Sequence, residues 1–317
     1  MVKTYFITGC AGFIGSNFCR EALKLGNKVI GVDNFSTGHR KFIQEFELNP
    51  NFNFYELDLK ADPFSHLIKN VDYVVHFAAL ADIRSGIDDP STSFDENILV
   101  THRVLEALRN SECKKIVFAS TGSVYDSKNK IASKETDFLN PQTSIYSASK
   151  VASEALIQSY CNTFNLQCWI FRFVSVLGRN YNHGHVFDFV KNFRKSNILN
   201  VLGNGLQNKS YVNVNDCISA IFLAISKTNE TTNLFNIGLN ETMTVKESIS
   251  IIAECLNINP MLKFQDSDRG WIGDIPFILL DASCLLSLGW KPKFSIRESV
   301  IETVNFLNYE PWLFDKK

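Results

Sequence analysis

Tyr146 and Lys150 stand four residues apart in the run Ser-Ile-Tyr-Ser-Ala-Ser-Lys, residues 144–150. At helical spacing both side chains leave one face, setting a phenol beside an ammonium. A free phenol has a pKa near ~10, so its deprotonation at cellular pH costs about 4 kcal/mol, and a nearby cation lowers that cost. Such a phenol can act as base toward an alcohol. Tyr146 is the only one of nine tyrosines with a lysine four residues on; a helix-surface pair with a partly packed ring is the plain alternative. The second chemical feature is Gly9-Cys-Ala-Gly12-Phe-Ile-Gly15, directly after an apolar run. Spaced glycines between a strand and a helix allow a tight turn, close approach of a pyrophosphate and helix–strand packing, with backbone N–H groups and the helix dipole facing the anion. Three glycines alone would serve any tight turn. Taken with the Tyr/Lys pair, they point to oxidation and reduction of an alcohol by a nicotinamide cofactor.

Two further groups fit that chemistry. Val-Ile-Gly-Val-Asp, residues 29–33, ends a second apolar run with an acid. A carboxylate there accepts both ribose hydroxyls and repels a 2′-phosphate, favouring NAD over NADP; the alternative for Asp33 is a turn residue before Asn34. Asp58 follows a third apolar run and could meet the adenine edge or cap a helix. Thr121 lies in Phe-Ala-Ser-Thr-Gly-Ser-Val-Tyr, residues 118–125, after another apolar run. Hydroxyls at the carboxyl end of a central strand face the crevice in which open α/β sheets bind ligands, so Thr121 could donate to the substrate oxygen opposite Tyr146, or simply cap a turn.

The elements that must position these residues read as alternating strands and helices. Apolar runs at 4–8, 28–33, 53–57, 73–77, 115–119 and 167–173 predict strands, and amphipathic patterns at 16–25, 92–109 and 143–164 predict helices. Such alternation implies right-handed crossovers and a parallel sheet covered on both faces. Beyond residue 173 the pattern breaks into Asn- and Gly-rich loops, with helices expected near 216–226, 245–256 and 296–307 and a strand or turn in 279–290. The division expected is residues 1–173 for the cofactor and 174–317 for the substrate, packed together and partly interleaved.

A chain of 317 residues with 45% hydrophobic content can bury a large core. A net charge of −1 argues against a nucleic-acid or anionic-membrane footprint. No stretch approaches the ~20 apolar residues of a membrane span, and eight scattered cysteines without a C-x-x-C fit reduced thiols in a cytoplasm. His183-Gly-His185 lacks partners at zinc spacing, so it reads as a solvated loop and no metal is expected.

These motifs resemble the extended short-chain dehydrogenase/reductase family, and within it the NAD-dependent nucleotide-sugar epimerases and dehydratases, with the look of UDP-glucose 4-epimerase-like proteins. The resemblance takes in the glycine turn, residues 33–38, His76-Phe-Ala-Ala79, Asn97, the strand end 120–125, the Tyr146/Lys150 pair, residues 203–216 and 269–274, and Leu-Gly-Trp-Lys-Pro at 288–292. It implies a Rossmann-type doubly wound parallel sheet with a smaller C-terminal substrate-binding α/β domain. It assigns to NAD the residues Gly9, Gly12, Phe13, Ile14 and Gly15, then Asp33, Asn34, Ser36, Thr37 and Gly38, then Asp58 and Leu59. Phe77, Ala78, Ala79, Asn97, Ser120 and Phe173 complete that set, with Tyr146 and Lys150 themselves. A nucleotide-diphosphate sugar, UDP-hexose before others, would meet Thr121, Tyr146, Ser175, His185, Val186, Val201, Lys209, Arg269 and Ile278, with the two cations near the diphosphate. Tyr146 would take a sugar hydroxyl proton as hydride leaves the same carbon, and hydride would return to the other face of the keto sugar. Lys150 would hold the nicotinamide ribose and depress the phenol pKa. Relatives pair through two long helices, which implies a homodimer.

One position separates reactions. Relatives that eliminate water or decarboxylate resemble this chain but carry a glutamate where Ser123 stands, and Thr-Asp where Thr121-Gly122 stands, so epimerisation is expected. Other differences bear on the substrate: Ser175 replaces an asparagine, Lys209 an arginine and Asp126 a glycine. Ile278 stands where some relatives have a tyrosine that crowds the sugar's 2-substituent, leaving room for an N-acetyl group, unless it faces the core. A keto-sugar reductase, a 2-epimerase or a dehydratase is the alternative within the family. A dinucleotide-sensing protein without chemistry is the alternative outside it.

Overall fold

The computed structural model describes residues 1–125, 130–141, 144–271 and 273–315; Asp126 and Thr143 therefore lie outside the described residues. β1 (Thr4–Thr8), β2 (Lys28–Asp33), β3 (Phe52–Glu56), β4 (Tyr73–His76), β5 (Lys115–Thr121) and β6 (Gln167–Phe173) run parallel. With Thr232–Ile237 beside β6 they form a seven-stranded sheet ordered Thr232–Ile237, β6, β5, β4, β1, β2, β3. Side chains alternate between two cores, as the pleat requires. Ile7, Val75 and Val117 enter one core, and Phe6, Val74, Ile116 and Phe118 the other. Chain order reverses between β1 and β4, the place where open sheets of this kind leave a crevice at their carboxyl ends.

Thr232–Ile237 is absent from the strands expected from sequence. Its two asparagines disfavour a strand by composition, yet Asn233 and Asn236 are buried with their amides employed. Asn233 Nδ2 donates to the Cys168 and Glu230 carbonyls, and Asn236 accepts from the Tyr125 hydroxyl and donates to the Ser133 carbonyl. The edge of the first sheet is thus supplied by the second half of the chain.

The helix expected over 92–109 is composite. Pro90–Ser93 is α-helical, Phe94–Leu99 winds as a π-helix, and Val100–Arg109 resumes the α-helix. It packs beside the helix Ile145–Phe164, which Ser144 caps. On the other face lie the helices Phe13–Lys24 and Val214–Lys227. Short strands build the rest: Ser175–Leu177 with Tyr211–Asn213, Ile198–Val201 with Met261–Phe264, and Asn208–Lys209 between Met243–Thr244 and Phe277–Ile278. The helices Val245–Leu256 and Ile296–Tyr309 each begin with a capping box, from Thr244 and Glu247 and from Ser295 and Glu298. Among the described residues no helix is long and apolar enough to cross a membrane.

Candidate active site

Gly9 ends β1 at φ +67, and a Cβ on it would stand 2.7 Å from the Ala78 nitrogen, so the turn lies directly on the end of β4. A Cβ on Gly15 would fall 2.0 Å from the Gly9 carbonyl oxygen, which leaves only glycine there. Gly12 is the N-cap of Phe13–Lys24; it offers no side-chain cap, and no acid occupies the first turn. The amide donors of Phe13, Ile14 and Gly15 therefore form a helix N-terminus without a side-chain acceptor, which is the geometry that receives a phosphate.

Asp33 ends β2 and is buried, its Oδ2 accepting the Ala11 amide at 2.9 Å and its Oδ1 the Phe35 amide at 2.8 Å. The acid thus pins the glycine turn. Asn34 Oδ1 accepts the Ser36 amide, and Ser36 and Thr37 are exposed. Gly38 closes the segment against Ala11. Asp58 falls after β3, and its Oδ1 accepts the Lys60 amide. That settles its local role as a turn cap rather than a helix cap. Leu59 is a core residue.

Thr8 bonds β1 to β4: its hydroxyl lies 2.8 Å from His76 Nδ1 and accepts the Ala78 amide at 3.1 Å. His76 Nε2 lies 3.0 Å from Thr101 Oγ1, and burial, reinforced by the Lys150 charge, pushes this imidazole down to about 3. The strand end Phe77–Ala79 is held against Asn97, whose Oδ1 accepts the Leu80 amide at 2.8 Å and whose Nδ2 reaches Ser149 Oγ at 2.8 Å. The π-helical turn leaves the Asn97 carbonyl to the hydroxyls of Thr101 at 2.5 Å and Ser153 at 3.1 Å.

Tyr146 and Lys150 leave the first turns of Ile145–Phe164. Lys150 is 4% exposed; its Nζ donates to the Ala119 carbonyl at 2.9 Å and lies 5.9 Å from the Tyr146 ring centre. Burial pushes the Lys150 ammonium down to about 8, with Glu154 opposing. Burial also pushes the Tyr146 phenol up to about 12, and a hydrogen bond with Thr121 pulls it partly back. The depression of the phenol by Lys150 expected from spacing is absent: the ammonium is turned to the β5 carbonyl, and burial outweighs it. Thr121 ends β5, caps the turn Gly122–Val124 and bonds to the phenol.

The sequence left unread the support beneath this pair. Glu154, one turn beyond Lys150, takes a two-pronged bond from Arg172 of β6, Nε to Oε1 at 3.0 Å and NH2 to Oε2 at 2.6 Å, both side chains under 5% exposed. Ser120 donates to the same carboxylate, and Arg172 NH1 donates to Tyr125 at 2.6 Å. The signal was present as a Lys–Glu pair at i, i+4 on an apolar helix.

The expected substrate residues are placed unevenly. Lys209 is engaged, its Nζ 2.7 Å from Asp274 Oδ1, and Asp274 Oδ2 accepts the Gly270 amide at 2.9 Å. Arg269 is exposed on the adjoining loop, beside Gly203. Both cations thus share one corner, with Lys209 already neutralised. Trp271 Nε1, Asn208 Oδ1 and Gln207 Oε1 are buried there without partners among the described residues. Ile278 pairs with Lys209 in register and lines a small recess with Gly122, Tyr125 and Ile275. Ser175 is half-buried opposite Tyr211. Val186 and Val201 are core side chains, so only their backbone can face a ligand. His183 is exposed as expected, but His185 is half-buried: its Nε2 lies 2.9 Å from Ser248 Oγ, and burial, with the Lys209 charge, pushes it down to about 3. The solvated-loop reading therefore fails for His185, because it starts the helix His185–Phe193 against Tyr211.

A doubly wound sheet with an uncapped glycine turn and a tyrosine–lysine pair at its crevice defines a dinucleotide-dependent oxidoreductase-type enzyme of the short-chain class. The chain belongs to the NAD dependent epimerase/dehydratase family, whose model matches residues 5–238. It is 28% identical to the UDP-glucose 4-epimerase of Mycolicibacterium smegmatis, over 95% of this chain and 97% of that protein. The fold superposes on a crystal structure of UDP-galactose 4-epimerase with a TM-score of 0.87 at 32% identity, covering 98% of this chain and all of the other. It matches UDP-glucuronic acid 4-epimerase from Bacillus cereus, solved with UDP-glucuronic acid and NAD, with a TM-score of 0.89 at 26% identity over 96% and 99% of the two chains.

Proposed function

We propose that this protein epimerises a UDP-hexose at C4 through a transient 4-keto sugar, using NAD. The observation that carries the reading is Thr121, Tyr146 and Lys150 gathered at the carboxyl end of β5, with serine rather than a carboxylic acid at position 123. NAD, when bound, supplies the acceptor that takes hydride from the sugar carbon and gives it back. Residues 1–173 hold the cofactor: the amides of Phe13 to Gly15 receive the pyrophosphate, and Asp33 receives the ribose and disfavours a 2′-phosphate. Tyr146 removes the proton of the sugar hydroxyl, Thr121 holds that oxygen, and Lys150 keeps positive charge beside the phenolate and ribose. No carboxylic acid at position 123 is present to protonate a leaving hydroxyl, which favours return of the proton over elimination. Residues 174–317 hold the nucleotide sugar, with Lys209 and Arg269 at the diphosphate corner. The UDP-sugar 4-epimerases among the relatives support this substrate class.

The chain functions as a homodimer in the cytoplasm, a setting consistent with its eight free cysteines. The test is incubation of purified protein with a panel of nucleotide sugars, with products read by NMR. The expected result is interconversion of C4 epimers of a UDP-hexose with no net NADH. Stoichiometric NADH, or a 4-keto-6-deoxy product, would replace this reading by a net-redox or dehydratase one.

A further inference from the structure

Hydroxyl groups form a single file behind the phenol. Ser144, the cap of the Tyr146 helix, accepts the Ser147 amide at 3.1 Å, and the two serine hydroxyls lie 2.8 Å apart. Ser147 Oγ donates to Ser123 Oγ at 2.8 Å, and Ser123 Oγ lies 3.0 Å from Thr121 Oγ1, which also accepts the Ser123 amide at 3.2 Å. Each hydroxyl has one proton to give and can accept two bonds. Ser147 gives to Ser123, and Ser144 therefore gives to Ser147; Ser123 keeps its own proton and can give it to Thr121, although that bond is open to either direction. In that direction Thr121 Oγ1 holds two incoming bonds, from the Ser123 hydroxyl and amide, and its own proton is left for the Tyr146 oxygen, to which it is bonded. Ser123 and Ser147 are 3% and 0% exposed, so bulk water does not substitute for them.

We propose that Ser123 and Ser147 are positioning residues that fix the Thr121 hydroxyl as a donor to the Tyr146 oxygen, so that a polarised chain starting at the helix cap stabilises the phenolate. Chains of this kind strengthen each successive bond, and a hydrogen bond to the charged form of an acid favours ionisation. The inference rests on Tyr146 as the acid–base group of the proposed reaction. Other charges near the phenol are fixed by their own partners. Lys150 on the same helix faces the Ala119 carbonyl, Glu154 is neutralised by Arg172 of β6, and His76 of β4 is held neutral. Arg84, ahead of the segment Ser85–Asp88 that packs on this helix, pairs with Asp82 and Asp188.

The experiment uses NAD-loaded protein carrying Ser123→Ala, Ser147→Ala or Ser123→Thr, each made with and without Tyr146→Phe. The ultraviolet difference between the paired proteins isolates ionisation of Tyr146 from that of the other tyrosines and of Lys150. Ser123→Ala is expected to raise the phenol pKa by about one unit, a tenfold change in its ionisation constant. Turnover should fall roughly tenfold at neutral pH and recover at alkaline pH, with KM unchanged. Ser147→Ala should shift the phenol in the same direction by less, and Ser123→Thr should restore the wild-type profile. An unshifted phenol in Ser123→Ala, or activity lost equally at every pH, overturns the proposal. A shifted phenol in a protein that epimerises no sugar would uphold the chain and reject the reaction.

Discussion

At Tyr146 two requirements oppose each other: burial holds the phenol up to about 12, whereas chemistry at neutral pH needs its anion. The protein's own contribution in the other direction is the Thr121 bond, since the Lys150 ammonium, pushed down to about 8 and still mostly protonated at pH 7, is turned to the Ala119 carbonyl. On the proposed function an oxidised nicotinamide would add positive charge beside the phenol, which would tie base activation to cofactor occupancy. Tyr146→Phe keeps the ring packing and removes the acid–base group. Turnover should drop at least about a hundredfold while NAD stays bound, as read by steady-state rates and by absorbance of released cofactor; near-normal turnover would remove Tyr146 from the mechanism. Specificity is argued at a second residue. Ile278 is half-buried, packs against the core and borders the recess beside Gly122 and Tyr125; on the proposed function its size would limit the space near the reacting sugar. Ile278→Tyr should slow N-acetylated UDP-sugars selectively, with plain hexoses little affected, in parallel kcat/KM measurements. Equal slowing of both would place the gate elsewhere.

Elements explain why the site is where it is and which parts of it could be read in advance. The glycine turn, the β5 end and the Tyr/Lys helix were legible because each depends on local geometry: a φ of +67 at Gly9, a close approach at Gly15, a four-residue spacing on one face. What escaped depends on distant partners. Thr232–Ile237 reads as too polar for a strand until Tyr125 and Ser133 are seen to meet Asn236. The π-helical turn at Phe94–Leu99 leaves no signature in side-chain spacing. Lys209 reads as a free cation until Asp274, 65 residues on, is found against it. The Glu154–Arg172 pair is the most consequential of these, since it fastens the catalytic helix to β6 where both charges are out of water. Removing one partner of such a pair strands the other, at about 3–5 kcal/mol. Arg172→Met should therefore lower unfolding free energy by that order in urea titrations, and Glu154→Met in the same chain should recover part of the loss. If the single substitution proved neutral, water would have to reach Glu154, and the pair would not anchor the helix.

For the molecule as a whole, the two halves of the chain share one sheet, because Thr232–Ile237 completes the sheet that carries the glycine turn. Its acid stability follows from groups buried neutral. His76 titrates near 3 when folded against an ordinary 6.5. Below about pH 6.5 the unfolded chain gains a proton there that the folded chain refuses until near 3, so stability falls as pH drops through that window, by about 1.4 kcal/mol per unit. His76→Gln should flatten the pH dependence of urea unfolding between pH 6.5 and 4 by that amount, and an unchanged slope would mean His76 is not the responsible group. Assembly is the other property of this scale. Val104, Leu105 and Leu108 are fully buried and belong to the core. The apolar surface left on the same helices comes instead from Phe94, 55% exposed, and Ile145, 47% exposed, with Ala148 and Ala155 exposed and Ala152 half-buried along one side of Ile145–Phe164. Small residues on a helix face allow another helix to approach closely, and a two-fold axis beside that face would make the patch self-complementary, as closed dimers require. Light scattering at micromolar concentration should give twice the chain mass. Ala155→Glu, which sets a charge on that face without touching the core, should give monomers that still bind NAD. A wild-type monomer, or a dimer indifferent to Ala155→Glu, would rule out pairing through this surface.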